Sequence, residues 1–190
     1  MKKGKIIILS APSGCGKSTI IAEVIKDTAL KLEFSISATN REPRRGETDG
    51  VNYYFLSTED FKKAIDSDSL VEYEEVYPGR FYGTLKSEIA RICADGNNAI
   101  LDIDVKGALN VKKLYGDDAL ALFIMPPSID TLHHRLLSRG TESVDAINQR
   151  VGKAEYEISF APQFDRTVVN DVLIDAINET HDIIADFINK

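Results

Sequence analysis

The stretch that decides the fold is LSAPSGCGKST, residues 9–19. The apolar run KIIILS (5–10) precedes it and is typical of a buried parallel strand. The segment KSTIIAEVIKDT (17–28) follows, with apolar residues at the spacing of one helix face. A loop between a strand and a helix is the context of the phosphate-binding pattern G-x-x-x-x-G-K-[ST]. Gly16, Lys17 and Ser18 match this pattern, whereas Ala11 occupies the position of its first glycine.

The predicted loop has the chemistry to bind a triphosphate. Its backbone N–H groups face phosphate oxygens, and the helix N-terminus adds positive potential. Lys17 is predicted to reach the β- and γ-phosphates, and the Ser18 hydroxyl to ligate Mg²⁺. Alanine forbids little where φ is negative, so Ala11 is a mild departure. The predicted triphosphate site consists of Ala11, Pro12, Ser13, Gly14, Cys15, Gly16, Lys17, Ser18 and Thr19.

Cys15 lies inside the loop, close to the predicted helix start. A thiol in this position can have a lowered pKa and act as a redox-sensitive site. The simpler alternative is a small side chain at a variable position. We favour that alternative and expect Cys15→Ala to change nothing under oxidant.

Apolar runs and helical patterns alternate along the rest of the chain. Runs predict strands at 98–104 and 119–125 and, more weakly, at 165–170, and periodic segments predict helices at 84–94, 106–114, 128–138, 144–160 and 173–188. This alternation favours an α/β fold with a parallel sheet covered on both faces. Asp102, at the end of the run AILDID, is predicted to lie near Mg²⁺ beside the loop.

Two segments interrupt the alternation. Residues 34–82 are rich in Gly, Pro, Arg and Thr before LVEYEEVY (70–77) alternates, which predicts an inserted mixed subdomain. Residues 127–160 form a second insertion, in which Gly140 separates two helical patterns.

The bulk composition limits the classes of function. A chain of 190 residues has the size of one domain. Its net charge of -7 argues against binding to nucleic acid, which favours basic proteins. No apolar run approaches the roughly 18 residues of a membrane span. Cys15 and Cys93 have no metal-ligand spacing, which favours a reducing cytosol.

Arginines gather in two places besides the loop. Arg41, Arg44 and Arg45 stand in NREPRRGE, shortly before Tyr53 and Tyr54. Guanidinium groups with phenol hydroxyls make a receptor for a phosphate dianion. Each arginine alone is better explained as an exposed surface residue.

The second insertion carries the other arginines. Arg135 and Arg139 share one helix face, and Arg150 lies on the next helical pattern. The phosphate loop, the NREPRRGE cluster and the arginines of the second insertion are three separate anion-binding groups. One nucleotide does not need all three. They predict two phosphorylated substrates held in line against their mutual repulsion, and hence phosphoryl transfer between nucleotides.

The rest of the sequence agrees with transfer to a phosphate. No Ser-His-Asp or Cys-His arrangement is evident, and His133, His134 and His181 have no metal-ligand spacing. A phosphate acceptor is already ionised at neutral pH and needs no general base, only positioning and charge stabilisation.

Six segments, in order and at natural spacing, strongly resemble the guanylate kinases: SAPSGCGKST, SATNREPRRGETDGVNYYF, FYGT, ILDIDVKG, PPS and RLLSRGTES. The resemblance covers essentially the whole chain. It implies Mg²⁺-dependent phosphoryl transfer from ATP to GMP, giving ADP and GDP. It also implies a P-loop parallel-sheet core (1–33, 85–126 and 161–190), an inserted mixed α/β GMP-binding subdomain (34–84) and a helical lid (127–160).

The resemblance also implies the roles of individual residues. The GMP phosphate is expected on Arg41, Arg44, Tyr53 and Tyr82, and guanine on Ser37, Glu72, Thr84 and Asp104. The transferring phosphate and ATP are expected on Lys17, Arg135, Arg139 and Arg150, and adenine near Asn170. Mg²⁺ is expected on Ser18 and Asp102.

Glu72 and Thr84 would read guanine through complementary hydrogen bonds. A carboxylate can accept from both N1–H and the exocyclic amine of guanine, and a hydroxyl can donate to O6. The residues alone leave Glu72, Glu74 and Glu75 open as the carboxylate, and only the resemblance favours Glu72. Besides Ala11, two positions depart from the family: Phe81 where a second tyrosine is usual, and Val172 where an acid is common on the adenine side.

Two other functions remain open from the sequence. One is a kinase for AMP or a pyrimidine monophosphate, which the Glu72 and Thr84 pair argues against. The other is a guanylate-kinase-like module that binds phosphopeptides without catalysis, which the intact Lys17 and Ser18 argue against. We expect a cytoplasmic protein, either a monomer or a homo-oligomer.

Overall fold

A computed structural model of the protein describes residues 4–138 and 144–190. Nine strands and seven helices lie in these two ranges, joined by short 3₁₀ turns and loops. In chain order they are β1 (Ile6–Ser10), α1 (Lys17–Val24), β2 (Leu32–Phe34), β3 (Ala38–Thr39), β4 (Tyr54–Phe55), α2 (Thr58–Asp66), β5 (Leu70–Tyr77), β6 (Arg80–Leu85), α3 (Lys86–Ala94), β7 (Asn98–Asp102), α4 (Val105–Tyr115), β8 (Ala119–Met125), α5 (Ile129–Ser138), α6 (Val144–Ile158), β9 (Arg166–Val169) and α7 (Leu173–Asn189).

Five strands form a parallel core sheet in the order β2-β7-β1-β8-β9. Strand β1 is buried along its whole length because both faces of the sheet are covered. Ile7 and Leu9 pack in the cluster that includes residues of α1 and α7, whereas Ile6 and Ile8 pack with residues of α3 and α4. This alternation follows from the two-residue period of a strand. The predicted α/β fold with a parallel sheet covered on both faces is confirmed.

Two of the predicted boundaries were wrong, and one strand was missed. Strand β7 ends at Asp102 and not at 104, because Asp104 caps α4 and accepts the N–H groups of Lys106 and Gly107. Helix α3 begins at Lys86 and not at 84, since Thr84 and Leu85 complete β6. Strand β2 was not predicted, because three residues at a sheet edge carry too little periodicity.

The segment after β2 forms a second, four-stranded sheet in the order β4-β3-β6-β5. The β3–β4 pair is parallel and the other two pairs are antiparallel, so the predicted mixed structure is correct. Helix α2 covers this sheet through Phe61, which is fully buried and stacks on Phe81 with ring centroids 5.5 Å apart. The stacking accounts for phenylalanine at position 81, because the ring faces the core of this sheet.

Glu88 on α3 links the two sheets. Its buried carboxylate accepts the Ile36 N–H at 3.2 Å and the Tyr54 hydroxyl at 2.8 Å. Ile36 lies on the connection from β2 to β3, and Tyr54 lies in β4. The same carboxylate binds the guanidinium of Arg91, which offsets the cost of burying its charge.

Helices α5 and α6 occupy the segment predicted as a lid. Leu132 and Leu136 of α5 and Ile147 and Ala154 of α6 pack in the cluster next to the phosphate loop. Arg139 and Gly140, which were predicted in this segment, lie outside the described residues. In the part of the chain that the structure describes, no helix is both long enough and apolar enough to cross a membrane.

Candidate active site

The loop between β1 and α1 has the conformation that phosphate binding requires. Gly14 and Gly16 adopt positive φ, 95° and 83°, which only glycine enters at little cost. Among the described residues, the only non-glycine positions with positive φ are Lys31 and Asp68, so Ala11 has an ordinary backbone conformation. The loop borders a cleft of about 440 Å³ that Asp102, Ile103, Asp104 and Glu157 also line.

Lys17 reaches across this cleft to the end of β7. Its ammonium group forms an ion pair with the Asp102 carboxylate and donates to the Ile103 carbonyl at 3.4 Å. The Lys17 and Asp102 side chains keep 16% and 27% of their surface exposed, so both can still meet a ligand in the cleft. Asp102 therefore lies beside the loop, and its role toward Mg²⁺ and that of Lys17 toward the phosphates stay predictions.

Ser18 and Asp102 have the donor atoms for a magnesium ion. Both supply oxygen, the ligand that Mg²⁺ prefers, and both line the phosphate cleft. In residues 4–138 and 144–190 no group of three or more His, Cys, Asp or Glu side chains is arranged to hold a metal. The donor pair matches a Mg²⁺ ion that takes its other ligands from substrate phosphates and water.

Asn170 lies beneath the phosphate loop. Its buried side-chain amide donates to the Cys15 carbonyl at 2.8 Å, and a Cβ at Gly16 would come within 2.5 Å of that amide nitrogen. Its own carbonyl accepts from Arg135 at 2.9 Å. The observed bonds support the loop, and contact between Asn170 and adenine stays a prediction.

Two of the three predicted lid arginines can be placed. Arg135 on α5 donates to the carbonyls of Asn170 and Asp171, beside the loop. Arg150 on α6 donates to the Ser13 hydroxyl at 3.1 Å, so α6 contacts the loop directly. Arg139 lies outside the described residues.

Cys15 is a buried core residue. Burial raises the pKa of its thiol to about 12, although Arg135 nearby acts in the opposite direction. A neutral, buried thiol is a poor nucleophile, because the thiolate is the reactive form. The geometry therefore favours the structural interpretation of Cys15 over the redox one.

We expect iodoacetamide at pH 8 to modify Cys15 far more slowly in the folded protein than in urea. Mass spectrometry of tryptic peptides at timed intervals measures the two rates. Cys15→Ala should retain kcat within about twofold, since a small side chain remains at this position. Rapid modification of Cys15 in the folded protein would contradict its assignment to the core.

The second half of the site lies where β5 and β6 pair. Glu72 stands opposite Thr84 in the ladder, and the Thr84 hydroxyl donates to the Glu72 carboxylate at 2.6 Å. Burial raises the pKa of Glu72 to about 7, while the bond from Thr84 acts to lower it. Both side chains are buried.

The structure separates the three acids that the sequence left open. Glu75 is exposed and accepts the Gly79 N–H in the β5–β6 turn at 2.6 Å. Glu74 is partly exposed, and its hydrogen bond with Asp104 raises its pKa to about 7. Glu72 alone of the three combines burial with a hydroxyl partner.

Asp104 connects the two halves of the site. It lines the phosphate cleft, caps α4, and acts through its charge to raise the pKa of Glu72. The buried carboxylate of Glu72 is therefore close enough to feel the charge of a residue that lines the phosphate cleft.

Arg41 is held by several partners. Its two terminal nitrogens donate to the Glu47 carboxylate at 2.6 and 2.7 Å, and its Nε donates to the Tyr82 hydroxyl at 3.2 Å. The guanidinium carbon lies 4.9 Å from the centre of the Tyr53 ring. Arg41, Tyr53 and Tyr82 are thus brought together as predicted, but most of the Arg41 donors are already engaged.

Glu47 is a residue that sequence reasoning did not select. It also accepts the Arg44 N–H at 2.7 Å, so it closes the turn that carries the two arginines. Arg41 lowers the pKa of Glu47 to about 2, which keeps the pair charged at neutral pH. The signal was present in the sequence NREPRRGE, where an acid follows the arginines, but its partner could not be chosen without coordinates.

The remaining predicted residues have simpler surroundings. Ser37 directly precedes β3, and its carbonyl accepts the Tyr54 N–H at 2.9 Å. Arg44 is exposed on the turn. Glu157 on α6 was not predicted, although it is buried, lines the phosphate cleft and has a pKa raised by burial.

A phosphate loop on a parallel sheet and a buried carboxylate on an inserted sheet define a P-loop nucleoside monophosphate kinase. The family model described as guanylate kinase matches residues 3–187. The chain belongs to the guanylate kinase family, as the resemblance of its motifs implied.

Individual relatives agree with this membership. The chain is 54% identical over 186 residues to a guanylate kinase of Porphyromonas gingivalis, covering 98% of this chain and 99% of the relative. It is 51% identical over 187 residues to one of Bacteroides thetaiotaomicron, covering 98% and 91%. The crystal structure of guanylate kinase from Anaplasma phagocytophilum is similar with a TM-score of 0.76 and 27% identity, covering 100% of this chain and 89% of that one.

Proposed function

We propose that the protein transfers a phosphoryl group from ATP to GMP, giving ADP and GDP, with Mg²⁺ bound at the site. The observation that carries the proposal is the buried Glu72 carboxylate, which is held by Thr84 and lies within the influence of Asp104, a residue of the phosphate cleft. Phosphate loops occur in many enzymes and do not define the acceptor. A buried carboxylate with a hydroxyl beside it matches the donors and the acceptor of guanine.

On the donor side, the phosphate loop binds the triphosphate of ATP. Its N–H groups and the start of α1 surround the phosphates, and Lys17 moves from its bond with Asp102 toward the β- and γ-oxygens. Ser18 and Asp102 would hold Mg²⁺, which when bound neutralises phosphate charge. The adenine is proposed to lie near Asn170, on the side of the loop that this residue supports.

On the acceptor side, the inserted sheet binds GMP. Glu72 accepts from N1–H and the exocyclic amine of guanine, and the Thr84 hydroxyl turns its one proton from Glu72 to O6 when GMP binds, with Ser37 and Asp104 beside the base. Tyr53, Tyr82 and Arg44 bind the GMP phosphate. Arg41 binds the same phosphate through the N–H donors that its other partners leave unused. Its Nε also fixes the position of the Tyr82 hydroxyl.

Catalysis then depends on alignment and positive charge. The acceptor phosphate is already an anion, so the reaction needs no general base. Arg135 and Arg150 lie beside the loop, where their guanidinium groups can stabilise charge on the transferring phosphoryl group. We propose the same role for Arg139.

We propose that three parts of the chain move relative to one another during turnover: the core (1–33, 85–126 and 161–190), the GMP-binding insertion (34–84) and the lid (127–160). Closure of the insertion and the lid would exclude water, which otherwise competes for the phosphoryl group. A cytoplasmic location and a monomeric or homo-oligomeric state belong to the same proposal.

The acceptor assay tests the proposed substrate. ADP release from ATP is followed by a coupled assay with GMP, AMP, CMP and UMP as separate acceptors. We expect strong activity with GMP and little with the other three, because none of them pairs both donors with Glu72. A preference for AMP would overturn the assignment of the acceptor. Absence of activity with all four would favour a binding module.

We also expect Glu47→Gln to raise KM for GMP by about tenfold, because charged hydrogen bonds to Arg41 and Arg44 weaken together. KM for ATP should stay unchanged, since none of the described residues that line the phosphate cleft belongs to this turn. Glu42→Gln, an exposed acid in the same turn, is the matched control. Equal effects of both substitutions on KM for GMP would show that Glu47 has no special role.

A further inference from the structure

Gly107 on α4 lies against the side chain of Glu72. A Cβ atom built at Gly107 would lie 2.8 Å from Oε2 of Glu72 and 3.2 Å from both its Cδ and its Cγ. A Cβ atom essentially never lies within 3.0 Å of an atom of a distant residue, so any larger residue at 107 would displace the carboxyl group. The space that Glu72 occupies exists because residue 107 has no side chain.

Backbone conformation does not explain this glycine. Gly107 lies in the first turn of α4, where its N–H donates to Asp104 at 3.1 Å, and its φ is not in the positive range. Alanine is the best helix former, so at this position it would favour α4. The obstacle to a side chain at 107 is therefore Glu72 and not the helix.

Glu72 has little room to move away. Its carboxylate is held on the far side by the 2.6 Å bond from Thr84, and the residue is only 8% exposed. Its backbone is held in the β5–β6 ladder, where Glu72 pairs with Thr84. A shift of the Glu72 carboxylate must consequently break or bend its bond with Thr84.

We propose that Gly107 is a specificity-determining position, which sets the place of the Glu72 carboxylate and so the selection of guanine. The inference rests on the proposed function, because it assumes that Glu72 reads the base. Gly107 acts through Glu72 and touches no reacting atom, so it is a positioning residue. A side chain at 107 moves the carboxylate away from the two donors of guanine.

The test compares Gly107→Ala with the wild type and with Gly152→Ala. Gly152 is also a helical glycine, on α6, but a Cβ there meets no atom within 4 Å. We expect Gly107→Ala to lower kcat/KM for GMP by about 10- to 100-fold, as for the loss of a hydrogen bond to a charged group. KM for ATP should change by less than about twofold, and Gly152→Ala should change neither KM.

A second acceptor separates specificity from general damage. Inosine monophosphate has N1–H and O6 but lacks the exocyclic amine, so it uses the carboxylate less fully. The ratio of kcat/KM for GMP to that for inosine monophosphate should fall in Gly107→Ala. An unchanged ratio together with equal losses for both acceptors would overturn the proposal.

A double-mutant cycle tests whether the effect passes through Glu72. In a Glu72→Gln background the pairing with guanine is already lost, so adding Gly107→Ala should change kcat/KM for GMP by less than about threefold. If Gly107→Ala fails to fold, the Glu72→Ala and Gly107→Ala double variant should fold, because the overlapping atoms are gone. Failure of that double variant to fold would overturn the proposal.

The wild-type assay comes first, so that the two conclusions stay separate. No preference for GMP in the wild type would refute the proposed function. A clear preference for GMP that Gly107→Ala leaves intact would refute only the inference about Gly107.

Discussion

Replacing Glu72 by glutamine should lower kcat/KM for GMP by roughly 10⁴-fold, the lower end of the range for a site built on hydrogen bonds that loses its match. Glutamine has nearly the shape of glutamate but offers one acceptor and one amine. The amine would face a donor of guanine, so the loss exceeds that of one bond. Steady-state kinetics with GMP varied at saturating ATP measures the effect.

Glu75→Gln is the matched control for this substitution. Glu75 lies on the same strand but is exposed, and glutamine keeps an oxygen for the Gly79 N–H. We expect its kcat/KM for GMP to remain within about twofold of the wild type. If Glu72→Gln behaved in the same way, Glu72 would not read the base.

Glu72→Gln should also stabilise the folded protein at alkaline pH. Burial raises the pKa of Glu72 from 4.5 to about 7 in the folded state, so the folded protein binds its proton more tightly than the unfolded chain. Stability contributed by this group is therefore full below pH 4.5 and is lost as the pH rises toward 7. Above pH 7 the charged, buried Glu72 lowers the free energy of unfolding by about 3 kcal/mol at most.

Glutamine has no charge to bury, so Glu72→Gln should have a higher Tm than the wild type at pH 8. The difference in Tm between Glu72→Gln and the wild type should vanish near pH 4.5, where residue 72 is neutral in both folded proteins. Thermal unfolding at several pH values, followed by circular dichroism, measures it. A lower Tm for Glu72→Gln at pH 8 would contradict the burial of a charged carboxylate at this position.

The raised pKa also predicts a pH dependence of binding. The carboxylate form of Glu72 accepts from guanine, so KM for GMP should rise as the pH falls below about 7. Glu74, whose pKa is raised to about 7, and the phosphate of GMP titrate in neighbouring ranges, and Glu72→Gln retains both of these contributions. The part of the pH dependence that Glu72→Gln removes therefore belongs to Glu72.

Replacing Lys17 by alanine has the second large effect, a fall in kcat of roughly 10³-fold, comparable to the loss of one key donor to a transition-state charge. The structure holds the Lys17 ammonium group between Asp102 and the loop, where no other lysine or arginine among the described cleft-lining residues replaces it. Single-turnover measurement at saturating ATP and GMP isolates the chemical step.

Lys26→Ala is the control for Lys17→Ala. Lys26 follows α1 at its C-terminal end and pairs with Glu23 at the surface, far from the loop. It should retain kcat within about twofold. A Lys17→Ala variant that keeps more than about a third of the wild-type kcat would show that Lys17 does not stabilise the transferring phosphoryl group.

The phosphate loop could be predicted from the sequence because its signal is local. Glycines, lysine and serine at fixed spacing between an apolar strand and a helix leave few alternatives. Ala11 was a doubtful position in the pattern, and its ordinary backbone conformation removes that doubt. The parallel sheet followed in the same way from long buried runs such as β8.

The acceptor side depends on contacts between distant residues, which no single-sequence pattern contains. The pairing of Glu72 with Thr84 needs the register of β5 with β6, and the link between Tyr54 and Glu88 joins residues 34 positions apart. Glu47 was visible as an acid near two arginines, but its bonds to Arg41 required the shape of the turn. The clearance between Gly107 and Glu72 depends on packing of α4 on β5, and the sequence carries no sign of it.

Val172 shows how a departure from a family pattern can be accommodated. It precedes α7, is 53% exposed, and its carbonyl accepts the Ala176 N–H, so this position contributes backbone to the start of the helix. Asn170, two residues earlier, carries the side chain that supports the phosphate loop.

The central claim is that one cleft aligns two nucleotides for direct phosphoryl transfer. The most direct test supplies ATP labelled with ³²P at the γ-phosphate together with GMP and Mg²⁺, and separates the products by chromatography. We expect the label to appear in GDP, in amounts equal to the ADP formed. Label found in inorganic phosphate, with GMP unchanged, would contradict it.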